Sequence, residues 1–184
     1  MMKKIIKINI TLTVLLVSLL SCGGGEPEVP IVSKITTIDN IFNYESLTNS
    51  GFKKSKSYKV DDLPEANSAY YGWKEVGEEG IKDFEIRIYN SHQDAIEFGE
   101  FFADEATGED AIIRKSDASW KEGMKDRRTI STPTDGGSIG AAIGSKSSPK
   151  YGDYIIYGNL IILCEGWDKK ESISRCSSFV QNLK

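Results

Sequence analysis

The pattern of apolar and polar positions is most regular between residues 69 and 106. An aromatic-rich run at 69–75 predicts a strand. Residues 84–89 then alternate strictly, which predicts a second strand with one face in solvent and places Glu85 and Arg87 on that face. Apolar residues recur every three or four positions over 95–106, which predicts an amphipathic helix.

A second strand–strand–helix unit is predicted near the end of the chain. Residues 154–157 and 160–164 form a hairpin around Gly158-Asn159, and a helix with one apolar stripe follows. The hairpin is apolar on both faces, so we expect either layers on both faces or a central position in the sheet. The sequence thus predicts a single α+β domain. Its sheet is antiparallel, has about four strands from the two units, and carries helices on one face.

The other segments are less regular. Helical spacing begins at Thr37 and ends near a stop signal at 48–51. The region 109–150 is predicted to be a long loop, with a short helix over 117–128 and a Gly/Ser/Thr-rich stretch at 131–149. A loop of this length inside a domain is uncommon and is often functional or disordered.

The N-terminal segment has its own pattern. Lys3, Lys4 and Lys7 precede a mostly apolar run of about the length of a signal segment, and Leu19-Leu20-Ser21-Cys22 follows. These four residues resemble the bacterial lipobox, which implies that Cys22 receives acyl chains after cleavage. We therefore expect a signal peptide at 1–21, a lipidated cysteine and flexible tether at 22–34, and the α+β domain at 35–184. The competing hypothesis is an ordinary signal segment with an incidental cysteine.

Charge and cysteine content limit the partners and the kinds of site that we expect for this protein. Loss of the three lysines with the signal would take the formal charge from −4 to −7, which disfavours nucleic acid as a partner. Cys164 and Cys176 remain as an even pair, either bridged or as two buried thiols. No further cysteine or histidine stands at metal-ligand spacing around them, so no metal site is expected.

Candidate chemistry in the domain is sparse. His92 is the sole histidine, and no serine lies in a nucleophile-elbow pattern, so we expect no catalytic residues. The glycines at 136–144 match neither phosphate-loop spacing, and no cofactor is expected. Carboxylates follow the helix predicted at 91–106, where they either form its solvated face or bind a cation; they are Asp94, Glu97, Glu100, Asp104 and Glu105.

One basic and aromatic cluster is a candidate contact for a partner or for lipid head groups. Its members are Trp120, Lys121, Lys125, Arg127 and Arg128. The alternative is a solvated amphipathic helix with Trp120 in the core. A second basic stretch has the same two interpretations; it contains Lys53, Lys54, Lys56 and Lys59.

The closing stretch NLIILCEGWDKKESISRCSSFVQNL, residues 159–183, resembles the end of many small bacterial lipoproteins of uncharacterised function. That resemblance implies an architecture and no activity. We therefore expect a protein held at a cell-envelope membrane by lipid, with its domain outside the cytoplasm. The first hypothesis is a non-catalytic module that binds another envelope protein or the cell wall. The second is a small-ligand or ion binder that uses 109–150, and an enzyme ranks last.

Overall fold

The computed structural model describes residues 30–131 and 146–184. Within these ranges the chain forms one six-stranded sheet and a separate two-stranded sheet. The strands are β1 Ile35–Thr36, β2 Lys53–Tyr58, β3 Ala66–Glu75, β4 Ile81–Tyr89, β5 Arg128–Ser131, β6 Lys146–Pro149, β7 Tyr151–Tyr157 and β8 Leu160–Glu165.

The main sheet has the order β1-β7-β8-β4-β3-β2, and all its pairings are antiparallel except that of β1 with β7. The α+β class is as predicted, but the four-stranded antiparallel sheet is wrong, because the predicted sheet does not include the two edge strands β1 and β2. β1 has only two residues, too few to show a period of two. β2 reads KKSKSY and has no apolar alternation, because lysines on an edge strand oppose pairing with another chain.

The helices are few and mostly short. They are α1 Tyr44–Asn49, α2 His92–Asp94, α3 Glu100–Asp104 and α4 Lys169–Val180, with a π-helical stretch at Ala95–Gly99 and a 3₁₀ turn at Gly77–Glu79. Side chains cap α1, α2 and α4, where Asn43, Ser91 and Asp168 accept backbone N–H groups. The helix predicted from Thr37 begins only at Tyr44. The helix predicted over 117–128 is wrong, since that segment forms turns.

We call the side of the sheet covered by α1 and α4 face one. The strands contribute apolar side chains to it, and Leu47 of α1 and Phe179 of α4 pack against them. Cys164 on β8 and Cys176 on α4 are joined by a disulfide, with their Cα atoms 5.7 Å apart. Face one is therefore covered by an apolar core, in which a disulfide joins the sheet to α4.

The opposite side, face two, is covered by the helical segment 92–104 and by residues 109–127. Ala95 and Ala103 pack there on Tyr89 and Tyr154. Helices thus lie on both faces, and the expectation that they occupy one face is wrong. Both sides of the β7–β8 hairpin are buried, as its two apolar faces indicated.

Close packing under the π-helical stretch depends on Gly99. A Cβ atom at this position would lie 2.6 Å from the Tyr89 hydroxyl oxygen and would also collide with Ile161. Only glycine therefore lets the helical segment approach the sheet this closely.

The β7–β8 turn is joined to the segment before α1. Asn159 accepts a hydrogen bond from the Phe42 N–H at 2.8 Å and donates to the carbonyl oxygens of Phe42 and Tyr89. His92 Nδ1 lies 2.8 Å from the Gly158 carbonyl oxygen, and Nε2 lies 3.2 Å from the Thr37 hydroxyl. This histidine therefore has a role in holding the turn.

Candidate functional site

Three charged side chains meet on face two with almost no exposure to solvent. Glu85 and Arg87 stand two apart on β4, and Arg127 reaches them from the covering segment. Arg127 donates from Nε to Glu85 Oε2 at 2.7 Å and from Nη2 to Oε1 at 2.8 Å. Arg87 donates from Nε to Oε1 at 2.9 Å. We call these three residues the buried charge cluster.

The electrostatics of this cluster follow from burial and pairing. Burial by itself raises the pKa of Glu85, but the charges of Arg127 and Arg87 outweigh it and the pKa ends below its usual range. Burial lowers the pKa of Arg127, and Glu85 more than reverses that effect. Glu85 and Arg127 are therefore both charged at neutral pH.

Trp120 packs against the two guanidinium groups of the buried charge cluster. Its ring centroid lies 5.0 Å from the Arg87 guanidinium carbon and 4.7 Å from that of Arg127, and its Nε1 donates to the Lys59 carbonyl oxygen. The small side chain of Ala69 on β3 belongs to the same packed group. Trp120 and the two guanidinium groups are thus packed between residues 109–128 and the sheet.

Polar contacts continue from the cluster toward one end of the sheet. Asp126 accepts a hydrogen bond from the Tyr58 hydroxyl at 2.8 Å and pairs with Lys56. Farther along, Lys150 pairs with Asp83, whose carboxylate also accepts from a tyrosine hydroxyl on β3. These links hold the covering segment and the start of β7 in fixed positions relative to β2, β3 and β4.

At that same end of the sheet, three large apolar side chains are exposed. Trp73 on β3 pairs with Asp83 in the sheet register, and Ile81 on β4 pairs with Glu75, so both lie where β3 ends and β4 begins. Trp167 follows the end of β8, whose Cys164 pairs with Phe84. Their exposed fractions are 39%, 62% and 76%. We call Trp73, Ile81 and Trp167 the sheet-end patch.

Two concave surfaces adjoin this patch. A small cleft of about 80 Å³ lies against Trp167 and is lined by Lys82, Lys150, Glu165 and Arg175. An open groove of about 1510 Å³ runs beside the outer face of α4 and is walled by the turn at residues 75–79. The cleft is smaller and the groove larger than the usual volume of small-molecule sites, about 300–1,000 Å³.

The basic and aromatic cluster proposed from the sequence is divided by the fold. Trp120 and Arg127 are buried on face two, whereas Lys121 and Lys125 are exposed and Arg128 lies on β5. The second basic stretch lies on β2 and just after it. There Lys56 pairs with Asp126, and Lys54 Nζ lies 4.5 Å from the Tyr44 ring centroid.

The remaining candidates take structural positions or lie outside the described residues. Of the helix carboxylates, Asp104 accepts from the Tyr154 hydroxyl and Glu105 from the Ser119 N–H. Across residues 30–131 and 146–184, no group of three or more His, Cys, Asp or Glu side chains is arranged to hold a metal ion. Cys22 and the glycines at 136–144 lie outside those ranges.

Reasoning from the sequence missed the most informative residues. Glu85 and Arg87 were expected in solvent, and this expectation is wrong because residues 109–127 cover them. The signal was present as two opposite charges two positions apart on a strand, together with an arginine seven positions after a tryptophan in the region 109–150. Trp167, which stands between Gly166 and the helix cap Asp168, was not among the candidates chosen from the sequence.

The geometry defines a class of protein: an α+β domain with one mixed sheet that is covered on both faces. The chain belongs to a family of unknown function, DUF6810, whose model matches residues 43–184. No curated protein and no solved structure matches the chain. Within the described ranges, no helix is both long enough and apolar enough to span a membrane.

Proposed function

We propose that this protein is a lipid-anchored cell-envelope protein whose domain is a non-catalytic binding module for another envelope protein. The anchor is supported by the sequence alone, through Cys22 at the end of a basic and apolar segment. The described chain begins at Pro30 beside α4, where the Val32 N–H donates to the Ser177 hydroxyl at 3.0 Å. Eight residues lead from Cys22 to Pro30, and they span at most about 28 Å when fully extended.

The observation that supports the binding role is the exposure of Trp167. An indole with three-quarters of its surface in water buries a large apolar area when a partner covers it, and tryptophan is enriched among the residues that dominate binding energy. Trp73 and Ile81 lie at the same end of the sheet. The groove beside α4 adds a concave surface that suits a polypeptide segment better than a small molecule.

Site-specific photocrosslinking in intact cells tests this role. A photoreactive phenylalanine analogue at position 167 should crosslink a discrete protein. The matched control is the same analogue at Phe101, which is 63% exposed and lies on α3, outside the sheet-end patch. The crosslinked protein should also co-purify with the unmodified full chain and be lost with Trp167→Ala. Identical products at both positions, or co-purification that survives the substitution, would contradict the proposed surface.

The anchor has a separate test. Cys22→Ser should abolish incorporation of labelled fatty acid and release the protein from membranes, because the thiol that carries the acyl chains is gone. Cys164→Ser is the matched control and should leave fatty-acid labelling unchanged. Membrane retention of Cys22→Ser with unchanged electrophoretic mobility would contradict lipidation at this residue.

A further inference from the structure

The buried charge cluster holds more positive than negative charge. Arg87 and Arg127 share the single carboxylate of Glu85, and no other carboxylate in residues 30–131 or 146–184 lies within 4.0 Å of either guanidinium. Arg87 has no measurable exposure to solvent. An uncompensated charge in such a site is costly, so a further negative charge there would stabilise the fold.

In residues 30–131 and 146–184, the buried side-chain donors without a hydrogen-bond partner belong to Arg87, Tyr89 and Tyr151, and Arg87 is the charged one. Its Nη2 lies 2.8 Å from Glu85 Oε1, but that oxygen already accepts from Nε and from Arg127. Within the described part of the chain, neither Nη1 nor Nη2 has a hydrogen-bond partner of good geometry. The Tyr89 hydroxyl, also fully buried, lies beside Arg87 and has no acceptor for its own proton in the described residues.

These donors lie side by side. Arg87 and Tyr89 are two apart on β4 and point to the same face, so their side chains are neighbours. The Trp120 ring centroid lies 5.0 Å from the Arg87 guanidinium carbon, and the indole offers Nη1 and Nη2 no hydrogen-bond acceptor. Ala69 and Ile161, the cross-strand neighbours of Arg87, are apolar and add no acceptor.

We propose that Arg87 and Tyr89 form a buried binding site for a compact monovalent anion of the halide class. The anion would accept hydrogen bonds from the Arg87 Nη atoms and the Tyr89 hydroxyl and would balance the second guanidinium charge. Water would satisfy the donors without balancing the charge. This site is independent of the proposed function, because it lies on face two and not at the sheet-end patch.

Thermal unfolding of the purified full chain tests the site. The probe is sodium bromide, titrated against sodium gluconate at constant ionic strength. Bromide should raise the unfolding midpoint along a saturable curve, because an anion that binds only the folded state stabilises it. A midpoint that is unchanged, or that changes without saturation, would overturn the proposal.

Two variants make the result specific. Tyr89→Phe should weaken the apparent bromide affinity about tenfold, because one hydrogen bond to a charged group is lost. The control Tyr157→Phe removes a hydroxyl that packs on face one and should leave the affinity unchanged. Equal affinities in all three proteins would exclude Tyr89 from the site and overturn the proposal.

Arg87→Met removes the proposed anion ligand and should abolish the bromide dependence. If that variant does not fold, anomalous scattering from crystals of the unaltered protein grown in bromide decides the question. A bromide peak within hydrogen-bonding distance of Arg87 Nη1 or Nη2 supports the site. Water density in its place means that the donors are merely hydrated and overturns the proposal.

Discussion

Residues 84–89 of β4 are buried on both faces of the sheet. The interactions that hold the covering elements in place differ between the two faces. Phe84 and Ile86 point to face one, where α4 supplies an apolar stripe and a disulfide. Glu85 and Arg87 point to face two, where an irregular segment supplies Arg127 and Trp120. A helix satisfies its own backbone and needs only apolar contacts, whereas a segment without regular structure takes its position from directional bonds. The covering segment is therefore held mainly by charge pairing.

The largest expected effect comes from removing the shared carboxylate. Glu85→Gln should cost about 3–5 kcal/mol in the free energy of unfolding, because two buried guanidinium groups lose their counter-ion. Urea denaturation measures this loss. The control Glu97→Gln is on an exposed helix position and should change stability by less than about 0.5 kcal/mol. A loss below about 1 kcal/mol for Glu85→Gln would mean that apolar contacts hold both faces.

The Glu85 carboxylate also predicts how the stability of the fold depends on pH in the acidic range. The pKa of Glu85 is lower in the folded protein than in the unfolded chain, so its stabilising contribution is complete above about pH 4.3 and is lost as pH falls through the folded value. Denaturation midpoints should therefore fall more steeply below pH 4 in the unaltered protein than in Glu85→Gln. Parallel pH profiles for the two proteins would contradict this assignment.

On face one, the corresponding change is loss of the disulfide. The double variant Cys164→Ala, Cys176→Ala should lose about 3 kcal/mol, since the bridge closes a loop of 12 positions in the unfolded chain. Urea denaturation with and without reductant measures the effect, and reductant should leave the double variant unchanged. Two reactive thiols in the denatured, unreduced protein would show that the bridge is not formed in solution.

Gly99 tests how closely the helical segment must approach face two. Gly99→Ala should cost about 1–3 kcal/mol, because the new methyl group collides with Tyr89 and Ile161. Ile161→Val removes the Cδ1 atom in that collision and should restore part of the loss, as a double-mutant cycle would measure. Strictly additive losses would indicate that the segment shifts to avoid the contact.

The smallest effect concerns a lysine on face one. Burial lowers the pKa of Lys74 to about 8, although its Nζ donates to the Phe179 carbonyl oxygen at 2.9 Å. The unfolded chain then binds more protons between pH 8 and 10, so stability should rise over that interval by roughly 1 kcal/mol. Lys74→Met should flatten this rise, whereas Lys54→Met, on the exposed edge strand, should not. An identical rise in Lys74→Met would assign the titration elsewhere.

Sequence periodicity predicts the parts of the fold in which one face is apolar and regular. The strands at β3, β4, β7 and β8 and the final helix were found in this way, because their burial repeats with a period of two or 3.6. The edge strands were not included in the predicted sheet, since β2 is lysine-rich and β1 is too short. The buried charge cluster also escaped, because Arg127 lies 42 positions from Glu85 and no local pattern reports such a contact. Long-range pairing, and not local sequence propensity, decides whether the Glu85 side chain is exposed or buried.

The way in which β1 and the residues before it are bound to the domain has a mechanical consequence. Residues 32–36 are bound along their length, by the Ser177 hydroxyl, by the Lys34–Asp153 ion pair and by backbone bonds from Ile156 and Gly158. Because β1 runs parallel to β7, a pull on the N-terminal segment toward Pro30 acts largely along the strand axis and loads these bonds together. A force applied to the N-terminal segment would therefore load these bonds in shear before it reaches the hydrophobic core.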